Sequence, residues 1–133
     1  MKLVNNSAYS KLLSLLVLVG TIFIAAEAHA AELVLFERAG CAWCAVFDRE
    51  IAPIYDKTDE GKRAPLRRVN LDAPPPADLL AIEVERLAPV FVLVDDGREI
   101  GRIRGYPGED HFWGLLAALI AKLDKTDSER SGI

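Results

Sequence analysis

Thiols are scarce in this chain: Cys41 and Cys44 are the only two cysteines among 133 residues. No structural disulfide can therefore form elsewhere within it. The one internal bridge available joins residues three apart, and so short a loop gives little chain-entropy stabilisation. A bridge that adds little to stability is better explained as one that opens and closes, which is the signature of thiol–disulfide exchange. Histidine is just as rare, with only His29 and His111. A structural zinc site wants four ligands, and past residue 30 only Cys41, Cys44 and His111 remain, so that class is poorly supplied. A copper or zinc carrier using the two cysteines alone stays open. A basic stripe is also missing, which argues against nucleic-acid binding.

No hydrophobic run reaches the roughly 20 residues that span a bilayer. The longest, Leu12–Ala26, is about 15 residues and sits behind Lys2 and Lys11, the layout of an export signal. Ala28-His29-Ala30 fits the small-x-small cleavage pattern. Residues 1–30 therefore read as a signal peptide, with an uncleaved anchor as the alternative, and the compartment as the periplasm. His29 then drops out of any site. Removing Lys2, Lys11 and Glu27 takes the 16 basic and 20 acidic residues to 14 and 19, net −5. What remains is one small domain, residues 31–123, followed by a polar stretch, 124–133, that loses the apolar period and reads as a frayed tail.

Within the domain, residues 32–37 are a short apolar run bounded by charge, a buried strand. Arg38-Ala39-Gly40 breaks it. A helix is expected from Cys41 to about Lys57, with Phe47, Ile51, Ile54 and Tyr55 on one face and a kink at Pro53. Residues 58–64 read as polar loop, 66–71 as a second strand, Pro74-Pro75-Pro76 as a stiff turn, and 77–86 as a short helix. Val90–Val94 is a fully apolar central strand. Asp96-Gly97 between it and the alternating run 99–104 is a strong hairpin signal. Residues 109–123 form an amphipathic helix with Phe112, Leu115, Leu116, Leu119, Ile120 and Leu123 inward. The order βαβ, α, ββα predicts an α/β domain, a four-stranded mixed sheet with helices on both faces.

The cysteines fall where a strand gives way to a helix inside a βαβ unit, and that context favours redox chemistry. A helix N-terminus presents unpaired N–H groups and about half a positive charge. Cys41 at the cap would be favoured as the thiolate and so as the nucleophile. Cys44, one turn further in and more buried, is the resolving thiol. Trp43 reads as an exposed apolar face beside the reactive sulfur. Arg38 reads as a solvated loop arginine near Cys41.

These features resemble the thioredoxin superfamily. The resemblance rests on Gly40-Cys41-Ala42-Trp43-Cys44, on Ala88-Pro89 before Val90-Phe91-Val92-Leu93-Val94, and on Asp96-Gly97-Arg98-Glu99-Ile100-Gly101 with Gly105-Tyr106. It implies a cis Pro89 against the disulfide, with Ala88 as the peptide-docking backbone. It departs from thioredoxins proper, which carry Trp-Cys-Gly-Pro-Cys, a buried Asp where Leu35 stands here, and often Thr where Ala88 stands. Glu37 is the nearest carboxylate to take that Asp's place, and it reads as facing solvent. The closer resemblance is to small exported thioredoxins of the SoxS type, through stretches such as Phe47-Asp48-Arg49-Glu50-Ile51 and Gly105-Tyr106-Pro107-Gly108-Glu109-Asp110. That implies a monomeric protein-disulfide reductase serving a sulfur-oxidation system. It would use no cofactor beyond its own disulfide, act on a partner protein's disulfide, and draw electrons from a membrane thiol donor. It would meet the membrane itself only during export. A disulfide oxidase or isomerase, a haem-maturation thioredoxin, and a non-enzymatic metal-binding or docking module are the alternatives.

Overall fold

The computed structural model describes residues 31–132; the expected signal segment lies outside them. Four strands, β1 (Glu32–Glu37), β2 (Leu66–Asn70), β3 (Val90–Asp95) and β4 (Arg98–Arg104), form one sheet in the order β2-β1-β3-β4. β1 runs parallel to β2 and antiparallel to β3, and β3 pairs antiparallel with β4.

Successive strand residues face opposite sides of a sheet, so a central strand covered on both sides must be apolar at every position. β1 and β3 meet that demand. Leu33, Leu35, Phe91 and Leu93 join one core, and Val34, Phe36, Val90, Val92 and Val94 join the other. The first core is closed by Phe47 of α1 (Ala42–Glu50) and by Phe112, Leu116, Leu119 and Leu123 of α4 (Glu109–Ser131). The second is closed by Val69, Leu79 and Ile82. The β3–β4 hairpin turns through Asp96 and Gly97, both at positive φ (50° and 69°), which matches the right-handed twist of the strands.

The expected helix 41–57 is interrupted. α1 stops at Glu50, Ile51 takes φ −108°, and a single turn, α2 (Ala52–Tyr55), follows with Pro53 in its first positions. Proline has no N–H to continue the ladder. The expected loop 58–64 contains a further turn, α3 (Asp59–Arg63), capped by Thr58, whose hydroxyl accepts from the Gly61 N–H at 3.0 Å. Thr58 followed by Asp59 and Glu60 was a legible start signal.

The expected helix 77–86 shrinks to a 3-10 turn, Ala77–Leu79. Arg102 takes the Glu83 carbonyl at 3.1 Å and the Glu85 carboxylate at 2.6 Å, holding this stretch to β4 instead. Residues 124–131 are helix rather than frayed tail. Arg63 pairs with Asp124 and Asp127, and Arg130 reaches the buried Asp95, so tertiary ion pairs carry α4 past the end of its apolar stripe.

Candidate redox site

β1 ends at Glu37, and the chain reverses through Arg38-Ala39-Gly40. Gly40 sits at φ +75°, a left-handed conformation that glycine adopts without steric cost. This turn delivers Cys41 to the N-cap of α1 in an extended conformation, φ −72° and ψ 107°. The Cys41 Sγ accepts a hydrogen bond from the Cys44 backbone N–H at 3.1 Å. The two cysteines are disulfide-bonded, with their Cα atoms 5.3 Å apart.

The pair is asymmetric. Cys44 is 4% exposed, whereas Cys41 is half-buried at the surface. When the bridge opens, Cys41 faces solvent and Cys44 faces the interior. An N–H aimed at a thiolate makes a charge-assisted bond, stronger than the one a neutral sulfur accepts. No acidic residue stands in the first turn of α1 to oppose that charge.

An aromatic cluster packs against the buried face of α1. Phe47, one turn after Cys44, is fully buried, with ring centroids 4.8 Å from Phe91, 5.4 Å from Phe112 and 5.8 Å from Tyr106. Leu35 is fully buried beside it. Tyr106 donates to the Glu50 carboxylate at 2.6 Å, fixing the last residue of α1. Burial first, and the Glu50 bond second, push the Tyr106 phenol well above its usual range.

Two clefts meet at Cys41. The larger, about 560 Å³, is lined by Cys41 and Cys44 with Glu37, Asp48 and Arg68. Arg68 bonds Glu37 at 2.8 Å and Asp48 at 2.6 Å, tying the end of β1 to α1. Glu37 is thus half-buried in an ion pair rather than turned to solvent. The smaller cleft, about 280 Å³, is lined by Cys41, Trp43 and Ala88 together with Arg38, Arg86 and Leu87. Trp43 is 60% exposed and Leu87 49%. The Ala88–Pro89 peptide bond is cis, and the Pro89 carbonyl accepts from the Gly105 N–H at 2.8 Å. Ala88 lies just before β3, and no described residue hydrogen-bonds its backbone.

The tertiary structure therefore brings Cys41, Trp43 and Ala88 to one groove, with Pro89 buried behind it. His111 is elsewhere, exposed in the first turn of α4 beside Asp110 and Leu115. Among the described residues, no group of three or more His, Cys, Asp and Glu side chains is placed to hold a metal ion. Arg86 and Leu87 went unnoticed in the sequence. Their only signal is adjacency to Ala88-Pro89.

No family profile and no curated relative matches the chain. Solved structures do. The periplasmic thioredoxin SoxS from Paracoccus pantotrophus, in its reduced form, is 48% identical, with 70% of this chain and 98% of that one covered and a TM-score of 0.66. A thioredoxin-fold protein from Helicobacter pylori is 20% identical, with a TM-score of 0.54 over 66% of this chain and 67% of that one. A thioredoxin from Malassezia sympodialis is 18% identical, with a TM-score of 0.51 over 68% and 76%. The last two speak to the fold alone.

Proposed function

The chain belongs to the thioredoxin superfamily, and on that premise we propose that it is a SoxS-like protein-disulfide reductase of the periplasm. Its Cys41–Cys44 pair fits it for thiol–disulfide redox chemistry. The observation that carries the reading is the asymmetry of that pair: an accessible sulfur at the cap of α1 and a buried one a turn behind it.

In the reduced protein the Cys41 thiolate attacks one sulfur of a partner disulfide. A mixed disulfide forms, and the partner's other sulfur leaves and takes up a proton. Cys44 then loses its proton and attacks the Cys41 sulfur. The partner's second sulfur departs as a thiol, and the Cys41–Cys44 disulfide remains. Two electrons have passed to the partner, with one proton from Cys44 and one from solvent. Trp43 offers an apolar contact, Ala88 offers unbonded backbone to an extended partner strand, and Pro89 backs the groove.

Export is supported by residues 1–30, which carry the pattern of a signal peptide cleaved after Ala30, and by the likeness to a periplasmic thioredoxin. Residues 31–133 would then work as a single unit and as a monomer. In an oxidising compartment the pair must be re-reduced, and a membrane thiol relay is the class of donor required. The partner would belong to a sulfur-oxidation system, as the resemblance implies.

The test is exchange with a protein disulfide. Cys41→Ser abolishes it, whereas Cys44→Ser accumulates mixed disulfides because the resolving step is gone. A Cys41→Ser protein as active as the parent overturns the reading. Titration against glutathione separates reductase from oxidase. A potential near thioredoxin's, about −270 mV, supports reduction, and one near −120 mV makes the protein an oxidant.

A further inference from the structure

Most guanidinium groups in this domain are neutralised. Arg63, Arg67, Arg68, Arg102, Arg104 and Arg130 each hold at least one carboxylate. Among the described residues, Arg38 and Arg86 hold none, and both line the groove that contains Cys41, Trp43 and Ala88. Two further arginines lack a carboxylate. Arg49 bonds the Ala45 carbonyl, and Arg98 sits at the hairpin, away from both clefts.

The fold sets Arg38 and Arg86 apart in a second way. They come from segments remote in sequence, the β1–α1 turn and the stretch before β3. The second segment is clamped next door. Glu85 is held by Arg102 and Arg104, which aims the following residues, Arg86-Leu87-Ala88, at the redox cap rather than at β4. Exposed apolar surface borders the same place, from Trp43 on one side and Leu87 on the other. Arginine pairs bidentately with carboxylates and tolerates partial desolvation better than lysine. Two unneutralised arginines in a chain of net charge −4 are a local exception to its overall sign.

Resting on the proposed reductase reading, we propose that this groove selects its substrate by charge: the partner's cystine lies in an extended acidic segment whose carboxylates are received by Arg38 and Arg86, while Trp43 and Leu87 cover its apolar atoms. Because the whole chain is acidic, the attraction acts only at short range, within a Debye length of about 8 Å at physiological salt.

The test uses the purified protein, reduced with dithiothreitol and freed of it. Single-turnover rates are measured with two cystine peptides of equal length, one flanked by Asp and Glu and the other by Lys. Each exposed pair contributes modestly, so the parent prefers the acidic peptide by about fivefold. That preference falls toward unity in 0.5 M salt, and the Arg38→Glu/Arg86→Glu double variant prefers the basic peptide. Equal rates for the two peptides, or an unchanged ratio in the double variant, overturn the inference while leaving the reductase reading in place. Failure to reduce either peptide, with no mixed disulfide in Cys44→Ser, overturns that reading itself. Concentration-dependent dimerisation lost on Arg86→Glu also overturns the inference, since the groove would then be occupied by a second copy of the chain.

Discussion

The two clefts beside Cys41 are built from similar materials and differ in what has been done with the charge. In the larger cleft, Arg68 is spent on Glu37 and Asp48, and the three side chains lock the end of β1 to α1. In the smaller, Arg86 and Arg38, which also lines the larger cleft, stand without a carboxylate partner among the described residues, beside exposed Trp43 and Leu87. A satisfied ion cluster holds parts of one molecule together. Unsatisfied cations next to exposed aromatic surface are where another molecule can find partners. On the proposed reading, the first cleft supports the disulfide and the second meets the substrate.

The most severe way to break the contrast is to undermine α1, the helix that carries the disulfide, from its buried side. Phe47→Ala deletes a fully buried ring in contact with three aromatic neighbours. It should cost about 3–5 kcal/mol, read from chemical denaturation. Trp43→Ala probes only the substrate side. Its ring is 60% exposed, so the denaturation midpoint should barely move. The kcat/KM for a protein disulfide should fall about tenfold.

Arg68→Ala probes the other side. The expected loss is about 1 kcal/mol, since its pairs are partly exposed and screened, and the preference for acidic over basic cystine peptides should not change. A loss of that preference would show the two clefts to be one electrostatic unit.

The smallest effect concerns pH. Arg104 first, and Arg102 second, hold the Glu85 carboxyl below its ordinary value of 4.5. A carboxyl lowered in the folded state contributes stability above the unfolded value and loses it as pH falls through the folded one. The denaturation midpoint should therefore decline below about pH 4.5, and less so in Glu85→Gln. The phenols behave oppositely. Tyr55 and Tyr106 are raised by burial, so their contribution is full below pH 10 and erodes above it.

Much of this could be read from the residues. The apolar runs of β1 and β3, the Asp96-Gly97 turn and the stripe of α4 are local patterns, and each forms where its period says, except that Leu115, expected inward, lies at the edge of the α4 stripe and is exposed. The place of Cys41 and Cys44 at a helix start was equally legible, because a strand, a breaker and an amphipathic stretch follow one another directly. The structure departs from those readings where distant side chains intervene. Residues 83–85 give up a helix for bonds to Arg102 and Arg104. α4 gains its last turns from ion pairs to Arg63 and Asp95. Glu37 leaves solvent for Arg68.

By itself, then, the sequence determined the four-stranded core and the place of the cysteine pair at the start of a helix. Periodicity and helix capping act over a few residues, so they can be read along the chain. Only the tertiary structure decided which arginines are neutralised and which remain free. Every arginine carries the same charge in sequence, and what it meets depends on side chains as far as 64 residues away, as with Arg63 and Asp127.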